Sequence, residues 1–242
     1  MMLTIENISK SFGEKQVLED ISFSVQAGEF VSLIGPSGSG KSTLFNLIGG
    51  LLEPDHGDIY MNGEKITNRS GFISYMPQQP SLFPWRTILQ NVILGQELHG
   101  LKEEDRAIEM LKKAGLGDVI HAYPHELSGG MRQRAAFIRA LLSPQSFMCL
   151  DEPFSALDEF TRLDMQKWLI STWEQYDRSV LFITHDIEEA LFLSDKIVIL
   201  SANPARIKAI LEIPFTRPRD ENIRLTAEFL DWKKRLIDTI QS

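Results

Sequence analysis

Cysteine occurs once in the 242 residues, at Cys149, so the chain forms no internal disulfide and suits a reducing compartment. Long apolar runs are missing as well. No stretch approaches the ~20 consecutive apolar residues of a membrane-spanning helix, so any role at a membrane is expected to go through a partner. An excess of base is missing: 25 Lys and Arg face 33 Asp and Glu, a net charge of −8. That excludes a nucleic-acid binder that relies on a general basic surface. Internal repeats and low-complexity tracts are not evident. The start, Met1-Met2-Leu3-Thr4-Ile5-Glu6, has no basic run followed by an apolar core, so no export signal is expected. Hydrophobic residues make up 43% of the chain, enough to bury a sizeable core in one large domain or one domain with an inserted lobe.

Short apolar runs recur at Phe30 to Ile34, Phe147 to Leu150, Val180 to Ile183 and Ile197 to Leu200. The later three are continuous, the pattern of strands covered on both faces in a parallel sheet between helices. Leu3-Thr4-Ile5 and Ile21-Ser22-Phe23-Ser24-Val25 alternate instead, which predicts antiparallel strands with one exposed face. From about Thr87 to Leu127 the pattern turns helical and charged, with Glu103, Glu104, Asp105, Arg106, Lys112 and Lys113 flanking Ile108 and Leu111. This reads as solvated helices in an inserted lobe. After Pro204 comes a proline-rich piece, Pro214 to Arg219, and then a tail from about Leu225. The tail carries Phe229, Trp232, Leu236 and Ile240 at helical spacing, which predicts a docking face.

Gly35-Pro36-Ser37-Gly38-Ser39-Gly40-Lys41-Ser42-Thr43 matches the P-loop pattern. An apolar strand precedes it, and a helical pattern with Leu44, Leu47, Ile48 and Leu51 follows. Glycines at 35, 38 and 40 let the backbone turn its N–H groups inward at a polyphosphate, and the helix adds its positive N-terminal end. Lys41 is placed to reach the β- and γ-phosphates and Ser42 to ligate Mg²⁺. This loop alone does not choose among kinases, GTPases and transport ATPases.

A second anion-seeking helix start lies nearly ninety residues on. In Leu127-Ser128-Gly129-Gly130-Met131-Arg132-Gln133-Arg134, Ser128 is a good N-cap and Gly129 and Gly130 open the helix. Taken alone, this segment also fits a capped structural helix. Next, the apolar strand Phe147 to Leu150 ends in two adjacent acids, Asp151 and Glu152. Neighbouring residues on a strand point to opposite sides, so the two are expected to have different jobs. Asp151 suits the Mg²⁺ shell, and Glu152 suits polarising the attacking water. Cys149 reads as a small buried hydrophobe.

With these motifs in this order, the chain resembles the ATP-binding cassette family over nearly its whole length. The resemblance implies an α/β fold: a P-loop NTPase (RecA-like) core with an N-terminal antiparallel β subdomain and an inserted α-helical subdomain. It divides the chain into a core over 1–86 and 146–205, a helical signature lobe over 87–145 and a C-terminal extension over 206–242. Ser155-Ala156-Leu157-Asp158 matches the family's D-loop, His185 its switch histidine and Gln78 its Q-loop glutamine. Phe12 matches the aromatic that stacks on adenine. Alone, His185 would read as structural and Phe12 as core. The implied ligands are ATP and Mg²⁺. Glu152, His185 and Gln78 would be catalytic. Phe12, Gly35 to Thr43 and Ser128 to Gly130 would bind nucleotide, and Ser42, Gln78 and Asp151 would hold the metal.

The resemblance also implies a mechanism. Two copies face each other head to tail, and the P-loop of one and the Ser128-Gly129-Gly130 loop of the other close on the same ATP. Closure excludes water and strengthens each phosphate contact, because the local dielectric falls. Further partners would be membrane-spanning permease subunits and, indirectly, an extracytoplasmic substrate-binding protein, with no nucleic acid and with the chain at the cytoplasmic face of the membrane. Leu82-Phe83-Pro84-Trp85 after Gln78 reads either as apolar groups for the permease or as core. Phe83-Pro84-Trp85-Arg86, the Met131 signature and the Pro214 to Arg219 tail resemble the importer branch for nitrate, sulfonates, taurine and thiamine precursors. A soluble cassette ATPase acting on ribosomes or nucleic acid is the competing reading, but such chains usually carry two cassettes or a coiled-coil insertion. A small-molecule kinase would leave Ser128 to Gly130 unused.

Overall fold

The structure, a computed structural model, describes residues 2–101, 103–176 and 178–241. In chain order its elements begin with β1 (Leu3–Phe12), β2 (Lys15–Val25), β3 (Phe30–Ile34), α1 (Lys41–Ile48), β4 (His56–Met61), β5 (Glu64–Lys65) and β6 (Ser74–Met76). Helices α2 (Ile88–Val92), α3 (Leu94–Leu98), α4 (Glu104–Lys113) and α5 (Gly129–Leu142) follow, then β7 (Phe147–Asp151) and α6 (Glu159–Tyr176). The chain ends with β8 (Ser179–Ile183), α7 (Ile187–Leu193), β9 (Lys196–Leu200), β10 (Ile207–Glu212) and α8 (Ala227–Gln241). It divides into two compact units, Met1–Ile73 with Asp177–Ser242, and Ser74–Tyr176.

The first unit holds two layers of strands. In one, β1 lies between β2 and β4, antiparallel to both, with Leu3 opposite Val25 and Met61. Leu3, Ile5, Ile21, Phe23 and Val25 are buried at alternate positions, as the sequence pattern predicts. In the other, β3 pairs in parallel with β8 on one side and β9 on the other, and β10 closes the β9 side antiparallel. All five residues of each of β3, β8 and β9 are buried, which is why their sequences run apolar without alternation. β10 alternates between half-buried and exposed, as an edge strand should.

Polar residues in this interior are partnered, because an unpaired buried polar group costs free energy. Ser32 on β3 hydrogen-bonds Ser194. Lys196 pairs with Glu29 at 2.6 Å and donates to the Ser24 carbonyl at 3.2 Å.

In the second unit β6 and β7 pair in parallel, Ser74 opposite Met148 and Met76 opposite Leu150. Helix α5 is the centre of the helical part. Its Ala135, Ala136, Phe137, Ile138, Leu141 and Leu142 are buried, and α2, α3 and α4 pack on it. Phe137 meets Phe154 at 5.9 Å and, edge on, Trp168 at 5.6 Å. Two polar side chains shape the loop after β6. Asn91, fully buried, accepts from Phe83 N at 2.7 Å and donates to the carbonyls of Phe83, Arg86 and Thr87. Arg139 donates to the carbonyls of Pro80 and Ser81 at 2.8 and 2.9 Å. The loop so held leaves Trp85 70% exposed and stacked on Phe83. Of the two readings of these aromatics, the core reading therefore fails for Trp85.

Among the described residues no helix is long and apolar enough to cross a membrane.

Candidate active site

In the first unit, β3 ends at Ile34 and α1 begins at Lys41, and the intervening residues form a tight loop. Gly40 is the N-cap of α1 at φ 79°, with no side chain capping the helix. An alanine Cβ there would sit 2.7 Å from Leu18 Cδ2 and 2.8 Å from Val17 Cγ1, in a conformation L-residues rarely adopt. At Gly35 a Cβ would meet the Leu200 carbonyl oxygen at 2.8 Å. The glycines thus permit a backbone that no other residue fits. Their consequence is a helix start whose first N–H groups are left for an anion.

Lys41 is buried, and its Nζ donates to the carbonyls of Gly35 and Pro36, both at 2.9 Å, and to Ser39 Oγ at 3.4 Å. Its charge therefore lies folded across the loop. Ser39 is buried, while Ser37, Gly38 and Ser42 are exposed. Phe12 is 48% exposed at the end of β1, with Lys10 Nζ 5.7 Å from its ring centroid. His185 is exposed after β8. Its neighbours are tied to the start of α7: Asp186 caps the helix by accepting from Glu188 N and Glu189 N, and Thr184 Oγ1 bonds Glu189 Oε2 at 2.6 Å.

In the second unit the structure brings Gln78 and Glu152 together, Gln78 Nε2 donating to Glu152 Oε2 at 3.1 Å. Asp151, the last residue of β7, is buried. Burial, and after it the Asp151 charge, raises the pKa of the Cys149 thiol, and the same two causes in the same order raise that of the half-buried Tyr75 phenol. Glu152 corrects the sequence argument. It has left the strand at φ 47°, a left-handed conformation, so pleat alternation does not set its direction. A turn does. The Glu152 carbonyl accepts from Ser155 N at 3.2 Å, Ser155 Oγ at 2.9 Å and Gln133 Nε2 at 3.3 Å. Gln133 is a residue the sequence argument missed. Its signal was an amide on the helix face that is otherwise apolar.

Ser128 is exposed and is the N-cap of α5, its hydroxyl accepting from Met131 N at 3.2 Å. A Cβ added to Gly129 would meet nothing within 4 Å, whereas one on Gly130 would meet Leu157 Cδ2 at 3.3 Å. Among the described residues no neighbour requires glycine at 129. The helix starts there with Ser128 and Gly129 exposed and the Met131 amide capped by the Ser128 hydroxyl.

Oxygen donors suit Mg²⁺, and the hydroxyl of Ser42, the carboxylate of Asp151 and the amide oxygen of Gln78 are of that kind. Among the described residues no cluster of three or more His, Cys, Asp or Glu side chains could hold a metal alone.

Comparison with known proteins gives one answer. The sequence profile of the ABC transporter family matches residues 18–155. The chain is 40% identical over 245 residues to the aliphatic sulfonates import ATP-binding protein SsuB of Bacillus cereus (strain ZK / E33L), covering 100% of this chain and 96% of the other. It is 39% identical over 246 residues to an uncharacterized ABC transporter ATP-binding protein of Methanocaldococcus jannaschii, covering 99% and 91%. Its fold matches the dimeric structure of a post-hydrolysis state of an ATP-binding cassette bound to ADP and Pi. The TM-score is 0.78 at 31% identity, over 89% of this chain and 100% of that one. The chain therefore belongs to the ABC transporter family, as an ATP-binding, ATP-hydrolysing cassette.

Proposed function

We propose that the chain drives a membrane importer for aliphatic sulfonates or chemically related small organic anions, working as a head-to-tail pair on the cytoplasmic face of the membrane. The cargo class follows the named relatives. The observation that carries the mechanism is Gly129. It opens α5 on an exposed turn, with no described residue within 4 Å of where a Cβ would stand, so a phosphate carried by a second copy has room to reach its backbone N–H.

In this reading the backbone N–H groups of Ser37 to Gly40 and the side chain of Lys41 grip the β- and γ-phosphates, with Gly35 and Pro36 shaping the loop, and Thr43 supports the same end. Phe12 stacks on the base. Ser128, Gly129 and Gly130 of a second copy close over the γ-phosphate. Glu152 takes the proton of the attacking water, and Gln78 reports the γ-phosphate to the loop of Phe83 and Trp85, which meets the permease. His185 contacts the γ-phosphate. Ser42, Asp151 and Gln78 would hold Mg²⁺, which when bound neutralises phosphate charge and polarises the phosphorus.

Replacing Gly129 with alanine tests the paired site. Inside one chain the change is sterically free and favours the helix by up to about 1 kcal/mol. Thermal stability is expected to hold or rise while ATP turnover falls. Unchanged turnover would remove the second copy from the site. Specific activity is also expected to rise with protein concentration in the dissociated regime, because each site needs two chains. A steady-state phosphate-release series reads this, and a constant specific activity would contradict it. For cargo, the chain co-assembled with its permease in vesicles should hydrolyse ATP faster when a sulfonate-loaded binding protein is added outside.

A further inference from the structure

Helix α7 follows His185 directly and has seven residues, too short to hold its shape alone. It is gripped at both ends by residues 213–241. At its C-terminal end Arg219 reaches in from the proline-rich piece. Its side chain is 1% exposed. Nη1 donates to the carbonyls of Leu191, Phe192 and Ser194 at 3.1, 3.0 and 2.8 Å, and Nε and Nη2 donate to Phe215 O. Arg217 joins it, with Nε on Asp195 Oδ1 at 2.7 Å and Nη2 on the Leu193 carbonyl. Burial, with Arg217 beside it, lowers the Arg219 pKa to about 10 against the opposing pull of Asp195, so the guanidinium stays charged at neutral pH. Cations at the carbonyl end of a helix are favourable, because the last carbonyls carry partial negative charge.

At the N-terminal end, Lys233 of α8 bonds Glu188 Oε1 at 2.6 Å. Back at the C-terminal end Arg224 lies over the Phe192 ring at 4.2 Å, and within the extension Phe229 of α8 stacks on Phe215 at 5.6 Å. Residues Glu188 and Glu189, whose backbone amides bond Asp186, form the first turn of α7 and frame the loop of His185. A burial cost for a guanidinium this complete is otherwise hard to justify on a surface extension, since an apolar side chain would pack there at less expense.

We propose that residues 213–241, within the C-terminal extension, position His185: Arg219, Arg217 and Lys233 hold α7 at both ends, and α7 holds the loop that carries the histidine. Arg219 is a positioning residue and touches no nucleotide. The proposal rests on the reading of His185 as a γ-phosphate contact.

The test is steady-state ATP hydrolysis by the full chain at saturating protein, for His185→Ala, Arg219→Met, Lys233→Met and the two double variants with His185→Ala. Arg219→Met is expected to lower kcat about tenfold with the KM for ATP within about twofold, since a small misplacement of a reacting-site group costs rate. It should add nothing in the His185→Ala background. Lys233→Met breaks a partly exposed pair, leaves no buried charge behind and is expected to give the same pattern at about threefold. It carries the test if Arg219→Met does not fold, as thermal melting will show. Impaired His185→Ala beside fully active, folded Arg219→Met and Lys233→Met would overturn the role of the extension alone. So would losses that multiply with that of His185→Ala, the mark of a merely structural tail. Undiminished turnover by His185→Ala would overturn the reading of His185 and the proposal with it.

Discussion

Lys41→Ala is expected to weaken ATP binding by about 10²- to 10³-fold, the scale of one unit charge lost from about 4 Å in a medium of effective dielectric near 20. The lysine already lies inside the loop, bonded to the carbonyls of Gly35 and Pro36 at 2.9 Å each. It needs only to turn from those carbonyls to a polyphosphate held by the same loop. Alanine removes the charge and leaves the backbone cradle, because the glycine-dependent turn does not need the side chain. The fold is therefore expected to survive. Titration calorimetry with MgATP checks this, with thermal melting as the control for folding. An affinity within about threefold of the parent would take Lys41 out of the phosphate site.

Glu152→Gln is expected to do the reverse: ATP binding is kept and turnover falls about 10²-fold or more, the scale of losing general-base assistance. The amide has the shape of the carboxylate, and its oxygen still accepts the Gln78 hydrogen bond, which spans 3.1 Å in the parent. The turn that holds residue 152 is made by its own carbonyl with Ser155 and Gln133, so it is untouched by the change. Single-turnover hydrolysis separates the chemical step from product release. A parent-like single-turnover rate would mean that another group activates the water.

Much of this was legible in the sequence because its signals are local. The strands β3, β8 and β9 are buried on both faces, so their sequences run apolar and mark themselves. The P-loop is legible because its glycines answer a local backbone demand, Gly38 and Gly40 standing at φ 77° and 79°. Ser128 announced α5 because a cap is a matter of three residues. What failed or was missed is not local. The direction of Glu152 depends on a positive φ in a turn whose carbonyl accepts from Gln133, nineteen positions away in sequence and on α5. Asn91 and Arg139 shape the loop of Gln78, and neither carries a motif. Arg219 looks like one more surface charge in a proline-rich stretch, and only the fold reveals it buried against the end of α7. The tail from Phe229 to Ile240 reads as a docking face, but its sequence does not say against what. Phe229 and Leu236 are buried, and α8 packs on α7 of its own chain.

Whether nucleotide is enclosed by two chains is read most directly from the mass of the Glu152→Gln protein in solution. By sedimentation velocity it is expected to run as a monomer without nucleotide and as a dimer with saturating MgATP, and adding Gly129→Glu should return it to monomer with ATP still bound. A Glu152→Gln protein that binds ATP yet stays monomeric, or a dimer indifferent to Gly129→Glu, would contradict the account.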